Sequence, residues 1–562
     1  MMRLPRRLVL ASLMALGFAS GAGAARAEET LFIVGDGVPS SLDTDGPAGT
    51  YTPTQEGILN LMDTLVTYPL EPPNADGVQT FDFTKFQPEL ADSWSFDAAT
   101  NTWTIKLHQG VKSCAGNTFT ADDVLYTFAR GKSISGQAPV SYFLSSVGSV
   151  QGFTPALFGK TPEAMAARKL GDEVTKVDDY TVKIKLSGPN PLFMRVLSIF
   201  ALVMYDSKDM QAHATSDDPW SHIYANTKNG AGFGPYCLES WKKDEEFVVR
   251  RNPDYYGAKP FYDRVIFRRV PQSSNRIAIL RTGRAQVAEG LSPQELNSVK
   301  AAPGVKVAGG FLNASLIMLL NYKTPPFDNV KLRQAIAYAI PYADINKTSY
   351  FDTAHQWNGL IPSAYPGYIK PDHLYGYDPA KAKAMLAEAG FPDGKGLDAY
   401  AEAFKLAYVA ERESIVGPSA TLIQTRFREL GIPVRLDPLP GTQFADRQSV
   451  KKDLPFALAD QAKPIAVDPV YAMKLSYVTP PQGVSNSTNF SDPEFDALFN
   501  KVLLEQDTKT RQDLLDKMQN ILAEKLPVVP ILETKLLYAE QKDVEGLVLH
   551  PSQVLMWRYL HR

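Results

Sequence analysis

The side chains that most often carry chemistry are scattered along this chain, without the spacing that a reaction or a metal requires. No two of its seven histidines have the HxxxH or HExxH spacing that would place two imidazoles on one helix face. No GxxxxGK[ST] sequence is present to cradle phosphate, and the turn at 232–234 lacks the third glycine of a dinucleotide loop. The spacing therefore predicts no protein metal site and no cofactor.

Serine motifs offer the sharpest case for an enzyme. SxxK sequences occur at 240–243 and 449–452, and Arg281-Thr282-Gly283 imitates the KTG motif of secreted penicillin-interactive enzymes. SxxK is short enough to arise by chance in a chain of this length, and no GxSxG nucleophile elbow is present. The sequence therefore predicts a protein that is not an enzyme.

The elements that would position any site alternate between strands and helices. In the first half, apolar and polar residues alternate over 103–107 and 180–186, which predicts two strands. Thr120 precedes two acidic residues and is a typical N-cap, so a helix is expected to follow it. The second half repeats helix and strand more regularly, which predicts βα-type units on one sheet. Its predicted helices cover 328–340, 378–390, 423–430, 492–503 and 514–522.

The N-terminus has the organisation of a secretory signal. Three arginines precede an apolar run over 8–18, and small residues follow, ending in Ala25-Arg26-Ala27. We expect cleavage before Glu28, although Ala22-Gly23-Ala24 also fits the cleavage rule. No cysteine lies near this boundary, so a lipid anchor is not expected. Removal of residues 1–27 and their four arginines leaves 54 basic and 61 acidic residues, a net charge of −7.

Size and composition narrow the class of protein further. A chain of 562 residues exceeds what one hydrophobic core supports, so two or more lobes are expected. Its acidic balance gives no reason to expect nucleic acid as a partner. The two cysteines, Cys114 and Cys237, could form a disulfide in an oxidising compartment or stay as two buried thiols, and their spacing does not decide between these.

Several segments together resemble one known family. Residues 232–241 read GFGPYCLESW, and 250–257 read RRNPDYYG; upstream, 88–94 read PELADSW and 119–124 read FTADDV. Residues 326–336 read PFDNVKLRQAI. These resemble, in the same order, motifs of extracellular solute-binding proteins of family 5, the dipeptide, oligopeptide and nickel receptors of ABC importers.

This resemblance implies an α/β, two-lobed periplasmic-binding-protein fold, of the type II large cluster with an extra subdomain. Two crossover segments would join the lobes, near residues 271–273 and 525–527. Lobe I would comprise 28–271 plus 527–562, with the inserted subdomain at about 59–174, and lobe II would comprise 272–526.

The resemblance also implies a function. The chain would be a periplasmic substrate-binding protein, secreted through a cleavable signal peptide of the Gram-negative type, that captures a short peptide or amino-acid-derived solute for an ABC permease. An oligosaccharide, an opine or a nickel chelate are alternative ligands, and a secreted hydrolase or a chaperone-like binding protein are alternative functions. A monomer is expected, with a small-molecule ligand and the permease at the inner membrane as its partners.

The resemblance points to ligand-binding residues at three places. Asp460 stands where peptide-binding members carry a carboxylate for the peptide ammonium, although the neighbouring aromatic residues are missing here; a loop-capping acid is the alternative. Asp468 and Tyr471 follow it in the same segment. Trp357 and Asn358 lie in a segment that faces the cleft in the family, and the alternative is packing on the lobe surface.

Phe233 is the last candidate, because it replaces the threonine that is usual in the family's Gly-Thr-Gly-Pro-Tyr sequence. Its ring could add a stacking surface to the cleft or fill the packing of the lobe. The sequence leaves both alternatives open.

Overall fold

A computed structural model describes residues 28–45, 48–49, 51–132, 140–153, 170–228, 232–460, 465–480 and 485–562. The predicted signal segment, residues 1–27, lies outside these ranges. None of the described helices is long and apolar enough to cross a membrane.

The strands in the described part of the chain form one large sheet and two small ones. The described strands are β1 (Thr30–Gly35), β2 (Val66–Thr67), β3 (Gln87–Pro88), β4 (Ala91–Asp97), β5 (Thr102–Leu107), β6 (Val174–Asp178), β7 (Thr181–Lys185), β8 (Tyr236–Lys242), β9 (Glu246–Arg251), β10 (Arg264–Arg269), β11 (Val287–Ala288), β12 (Val305–Leu320), β13 (Ala354–Gln356), β14 (Lys405–Val409), β15 (Arg435–Leu439), β16 (Phe456–Ala459) and β17 (Val528–Gln541).

The large sheet has the order β15-β14-β16-β12-β17-β11-β1-β10-β9-β8, and β13 also pairs with β17. Strand β1 is parallel to both β10 and β11, and β14 is parallel to both β15 and β16. The sheet therefore contains two parallel groups: β15-β14-β16 at one end of the path, and β11-β1-β10, which is followed by the antiparallel strands β9 and β8 at the other end. Strands β4, β5, β7 and β6 form a separate antiparallel sheet. Strands β4 and β5 lie within the predicted inserted subdomain at about 59–174, whereas β6 starts at Val174 and β7 ends at Lys185, beyond the predicted end.

Strands β12 and β17 connect the two parallel groups. They pair antiparallel from Val305 opposite Gln541 to Leu319 opposite Val528, and the register shifts between Phe311 and Ala314. On one side of this shift β17 also pairs with β11, and on the other side with β13. The long two-stranded ladder therefore runs through both lobes.

Helices pack against these sheets. The α-helices of five or more described residues are Thr52–Leu61, Ala121–Gly131, Ser207–Ala212, His222–Thr227, Ser273–Arg281, Pro293–Val299, Val330–Ala339, Tyr342–Ser349, Pro379–Glu388, Glu413–Glu429, Gly441–Ala445, Pro469–Ser476, Pro493–Val502 and Thr508–Lys525.

Capping explains where several helices begin. Thr120 forms a capping box, in which its hydroxyl accepts from backbone N–H groups of the first turn while the Asp123 carboxylate accepts from the Thr120 N–H. Asn329, Asp378 and Asp492 likewise accept from first-turn N–H groups, so the helices expected at these three positions are confirmed.

The buried apolar side chains form separate clusters, and these clusters show which helices pack against which part of the large sheet. One cluster in the second half packs β12, β14 and β16 against the helices of 330–430. Helices Ser273–Arg281 and Pro293–Val299 instead pack with Val34 of β1, Ala288 of β11 and Ala539 of β17. The boundaries at 271/272 and 526/527 stay predictions, but this packing favours a first crossover inside β12, near Phe311, over one near Gln272.

Cys114 and Cys237 form a disulfide, with their Cα atoms 5.6 Å apart. It joins the start of β8 to the turn that follows Val111, 123 residues earlier in the chain. Of the two alternatives that the sequence left open, the paired one is observed.

Candidate functional site

The clearest pair of ligand-type side chains lies at the carboxyl ends of two parallel strands of lobe II. Arg412 follows β14 and Asp460 follows β16, and parallel strands bring such residues to the same sheet edge, where α/β proteins bind their ligands. Arg412 Nε donates to Asp460 Oδ2 at 3.0 Å, and Nη2 contacts the same oxygen. The Asp460 side chain is 10% exposed and that of Arg412 is 31% exposed. The edge therefore presents a partly accessible pair of opposite charges.

Lobe I presents carboxylates at the equivalent edge. Asp36 follows β1 and Glu289 follows β11, again after parallel strands. Burial raises the pKa of Glu289 well above its usual range, and the Glu56 and Asp36 carboxylates raise it further. Its Oε1 atom has no hydrogen-bond partner among the described residues. In the described part of the chain no salt bridge joins Glu289 to a cation, so this edge differs from that of lobe II, although Arg276 is near enough to lower the pKa of Glu289.

Asp468 is a junction between three elements. Its carboxylate caps helix Pro469–Ser476 by accepting from the Val470 N–H at 2.8 Å. It also pairs with Arg511, at 2.9 and 3.0 Å, and with Arg195, at 3.2 Å. With only 3% of its surface exposed, Asp468 already has charged partners on both sides and is not free to take a ligand group.

Tyr471 lies one turn further along the same helix and is buried. Burial raises its pKa well above the usual tyrosine range, with smaller contributions from Tyr142 and Tyr365 nearby. The three tyrosines come from both lobes, so Tyr471 lies where the lobes meet.

Trp357 separates two small cavities. One, of about 40 Å³, lies beside the register shift of β12 and is lined by Asn313, Ser315, Trp357 and Glu533 among others. The other, of about 20 Å³, lies inside lobe II and is lined by Trp357, Asn358 and residues of helix Thr508–Lys525. Spaces of this size hold one to a few water molecules.

The cavity beside β12 combines an apolar wall with polar groups. Ser315 is buried, and its hydroxyl has no partner among the described residues. Glu533 is also buried and accepts from the Ser363 N–H, while its other oxygen lies 2.9 Å from His355 Nε2. A polar ligand group that reached this cavity could therefore satisfy the Ser315 hydroxyl.

Phe233 does not face a cleft. Its side chain is completely buried, and its ring meets that of Phe119 edge-on, with centroids 4.9 Å apart. Gly232 and Gly234 on either side pack directly on the backbone of Leu61, where a Cβ atom would clash. This environment supports the packing role among the two alternatives.

The structure thus brings Asp468 and Tyr471 together at the lobe contact and places Trp357 with Asn358 beside the cavities, while Asp460 lies at the strand edge. Sequence reasoning missed Arg412, which contacts Asp460. The available signal was its position three residues after the apolar run 406–409, which forms the end of β14, since the rule for strand carboxyl ends applies to it as well. Among the described residues, no group of three or more His, Cys, Asp or Glu side chains could hold a metal ion.

Two lobes built around parallel strands, linked by a β ladder and carrying a small extra sheet, are the architecture of the periplasmic-binding-protein fold. The profile of bacterial extracellular solute-binding proteins, family 5 Middle, matches residues 85–481. The chain belongs to this family.

Individual relatives agree with that assignment. The dipeptide-binding protein of Escherichia coli strain K12 is 27% identical over 485 residues, which cover 83% of this chain and 84% of the relative. A solved dipeptide-binding protein from Pseudoalteromonas, in complex with Met-Leu, is 22% identical with a TM-score of 0.76 and covers 95% of this chain and 100% of that one. An ABC transporter-associated periplasmic binding protein of Helicobacter pylori, in complex with the peptide STSA, is 23% identical with a TM-score of 0.74, over 95% and 98%.

Proposed function

We propose that the protein is a periplasmic receptor that captures a short peptide or amino-acid-derived solute between its lobes and delivers it to an ABC permease. Membership of the solute-binding family and the names of its relatives support the receptor role. The proposal includes export by the signal of residues 1–27 and action as a monomer without covalent chemistry.

The Arg412–Asp460 pair is the observation that carries the choice of ligand. A peptide or amino acid has an ammonium and a carboxylate, and these can pair with Asp460 and Arg412 respectively. Charge-assisted hydrogen bonds of this kind are stronger than neutral ones, and stronger again where a closed cleft excludes water. The ligand would replace an existing ion pair by two new ones, so neither protein charge would be left unpaired.

Identification of the ligand tests the proposal directly. We would analyse the purified protein for co-purified ligand by mass spectrometry and screen peptides, opines, oligosaccharides and nickel chelates by thermal shift. A ligand that binds only the folded state adds about 2.7 kcal/mol to its stability at 100 times Kd. Stabilisation by short peptides is expected; stabilisation by an oligosaccharide, an opine or a nickel chelate alone would assign the receptor to that ligand instead.

Two matched variants test the roles of the charged pair. Asp460→Asn should weaken binding of a peptide with a free ammonium by roughly 2 to 5 kcal/mol, as when one partner of a buried charge pair is removed. It should spare an N-acetylated peptide, for which Arg412→Gln should instead cause the larger loss. If Asp460→Asn lowers only the melting temperature and leaves affinity unchanged, Asp460 is a loop-holding residue.

The other functions make different predictions. A secreted hydrolase would consume peptides, glycosides or β-lactams catalytically, and such turnover by the purified protein would exclude the receptor as its sole role. A chaperone-like protein would bind unfolded chains without saturable stabilisation by any small ligand. N-terminal sequencing of protein from the periplasmic fraction should give Glu28, and light scattering should give the mass of one chain.

A further inference from the structure

Helix Pro469–Ser476 of lobe II meets lobe I with residues spaced three apart. Asp468 caps this helix, and Tyr471 and Lys474 follow it at intervals that place side chains on one helix face. Each lies beside a residue of lobe I: Asp468 beside Arg195, Tyr471 near Tyr142, and Lys474 beside Ser146. One short face of one helix therefore carries contacts across the gap between the lobes.

Arg195 is the lobe I side of the ionic contact. Its Nε lies 3.2 Å from Asp468 Oδ2, and its Nη1 donates to the Phe83 carbonyl at 3.1 Å. The guanidinium also lies over the ring of Phe86, 5.6 Å from its centroid. The side chain of Arg195 is 14% exposed and that of Asp468 is 5% exposed, so both charged groups are largely shielded from solvent. Lobe I thus holds Arg195 in position from its own side.

Arg511 makes the contact reversible. It belongs to lobe II and binds the same Asp468 carboxylate at 2.9 and 3.0 Å. If the lobes part and Arg195 leaves, Asp468 keeps Arg511 and its helix-capping bond to the Val470 N–H. The large penalty for an unpaired buried charge therefore does not arise when the contact breaks.

Lys474 supplies a second polar contact near the other end of the helix. Its ammonium donates to the backbone carbonyl of Ser146 in lobe I. Burial lowers the pKa of Lys474 below its usual range. The helix thus presents a negative group at its start and a positive group near its end, each matched by an opposite group or dipole of lobe I.

We propose that helix Pro469–Ser476 is an interlobe clasp that holds the lobes together without ligand, with Arg195–Asp468 as its main ionic contact. The clasp sets the fraction of ligand-free molecules in which the lobes are in contact, and this fraction scales the apparent affinity for any ligand that prefers the closed state. This role of the clasp does not depend on which solute the protein carries.

The distance between the lobes in ligand-free protein tests the clasp. Ile223 in lobe I and Val450 in lobe II are 66% and 64% exposed, and the two native cysteines are joined to each other, so Ile223→Cys with Val450→Cys gives two sites for spin labels. After unfolding, dialysis and refolding to remove bound solute, pulsed electron resonance would report the distance distribution in this background.

Arg195→Gln should move the distribution to longer distances and lower the closed-to-open ratio about tenfold, which corresponds to about 1.4 kcal/mol. The matched control is Arg511→Gln, which removes a guanidinium from the same carboxylate but within lobe II. It should not lengthen the distances and should favour the shorter ones, because opening would then take Arg195 away from an Asp468 that no longer has Arg511. Arg195→Lys should restore part of the population at short distance, because lysine returns the positive charge.

Lys474→Met gives an independent test if Arg195→Gln does not fold, and it should shift the distances in the same direction. Identical distributions for Arg195→Gln, Lys474→Met and the unsubstituted background, or an equal shift in Arg511→Gln, would overturn the proposal.

Discussion

Glu540→Gln should change how the stability of this protein depends on pH. Glu540 lies near the end of β17, far along the ladder from the register shift, and its side chain is 1% exposed. Lys306 Nζ lies 3.4 Å from Oε1, but Oε2 has no partner among the described residues. Burial outweighs the attraction of Lys306 and raises the pKa of Glu540 from 4.5 to about 7.

The sign and size of the effect follow from this pKa. Because it is higher in the folded state, Glu540 contributes stability that is fully present below pH 4.5 and is lost as the pH rises through 7. Between pH 5 and pH 8.5 the loss amounts to about 2.5 kcal/mol. Glutamine keeps the shape of the neutral acid and does not ionise, so the variant should gain that amount relative to the unsubstituted protein across this interval.

Thermal unfolding at pH 5, 6, 7 and 8.5 measures the difference between the two proteins. For a chain of this length, 2.5 kcal/mol corresponds to a change of about 2 to 3 °C in the difference of their Tm values. Lys306→Met is the control: without the lysine the pKa of Glu540 should rise further, and the decline should extend to higher pH. Parallel Tm curves for Glu540→Gln and the unsubstituted protein would refute the reasoning, since they would mean that Glu540 ionises equally in both states.

Three further predictions concern stability. Arg558→Met should cost about 3 to 5 kcal/mol in urea unfolding, because it leaves the buried carboxylate of Asp63, now 2.5 Å from the guanidinium, without its cation; a cost below 1 kcal/mol would contradict this. Trp357→Ala should cost a similar amount in the same experiment by merging two cavities, and a cost below 1 kcal/mol would show that the indole does not fill this space. Replacing Cys114 and Cys237 by alanine should cost about 2 to 5 kcal/mol, and a reductant should then have no further effect on Tm.

The elements of this fold were predictable because their signals are local. An N-cap such as Thr120 or Asp492 satisfies N–H groups only two or three residues away, so the residues that start the helix stand together in the sequence. The alternation over 103–107 and 180–186 likewise marks strands β5 and β7, which lie side by side in the small sheet. The two-lobed architecture was predicted from the resemblance to the family motifs, because local signals alone do not reveal it.

The site was less predictable because its contacts join distant parts of the chain. Arg412 and Asp460 lie 48 residues apart and meet only because β14 and β16 are neighbours in the sheet. Asp468 looks like a free acid in the sequence, yet Arg195, 273 residues away, already pairs with it. Phe233 could not be assigned to core or cleft until the neighbouring Phe119 was known.

The ladder of β12 and β17 connects the two lobes through backbone groups, whereas the side chains suited to bind a solute lie on other segments. Within this ladder, the connection between the lobes consists of main-chain hydrogen bonds that any non-proline residue can form, with register shifts between Phe311 and Ala314 and between Leu316 and Ile317. The groups suited to a solute are side chains that follow other strands, such as Arg412 and Asp460. Substitutions that alter ligand recognition can therefore accumulate without changing how the two lobes move relative to each other. One scaffold can thus be adapted to new solutes while the permease continues to bind a receptor of the same shape.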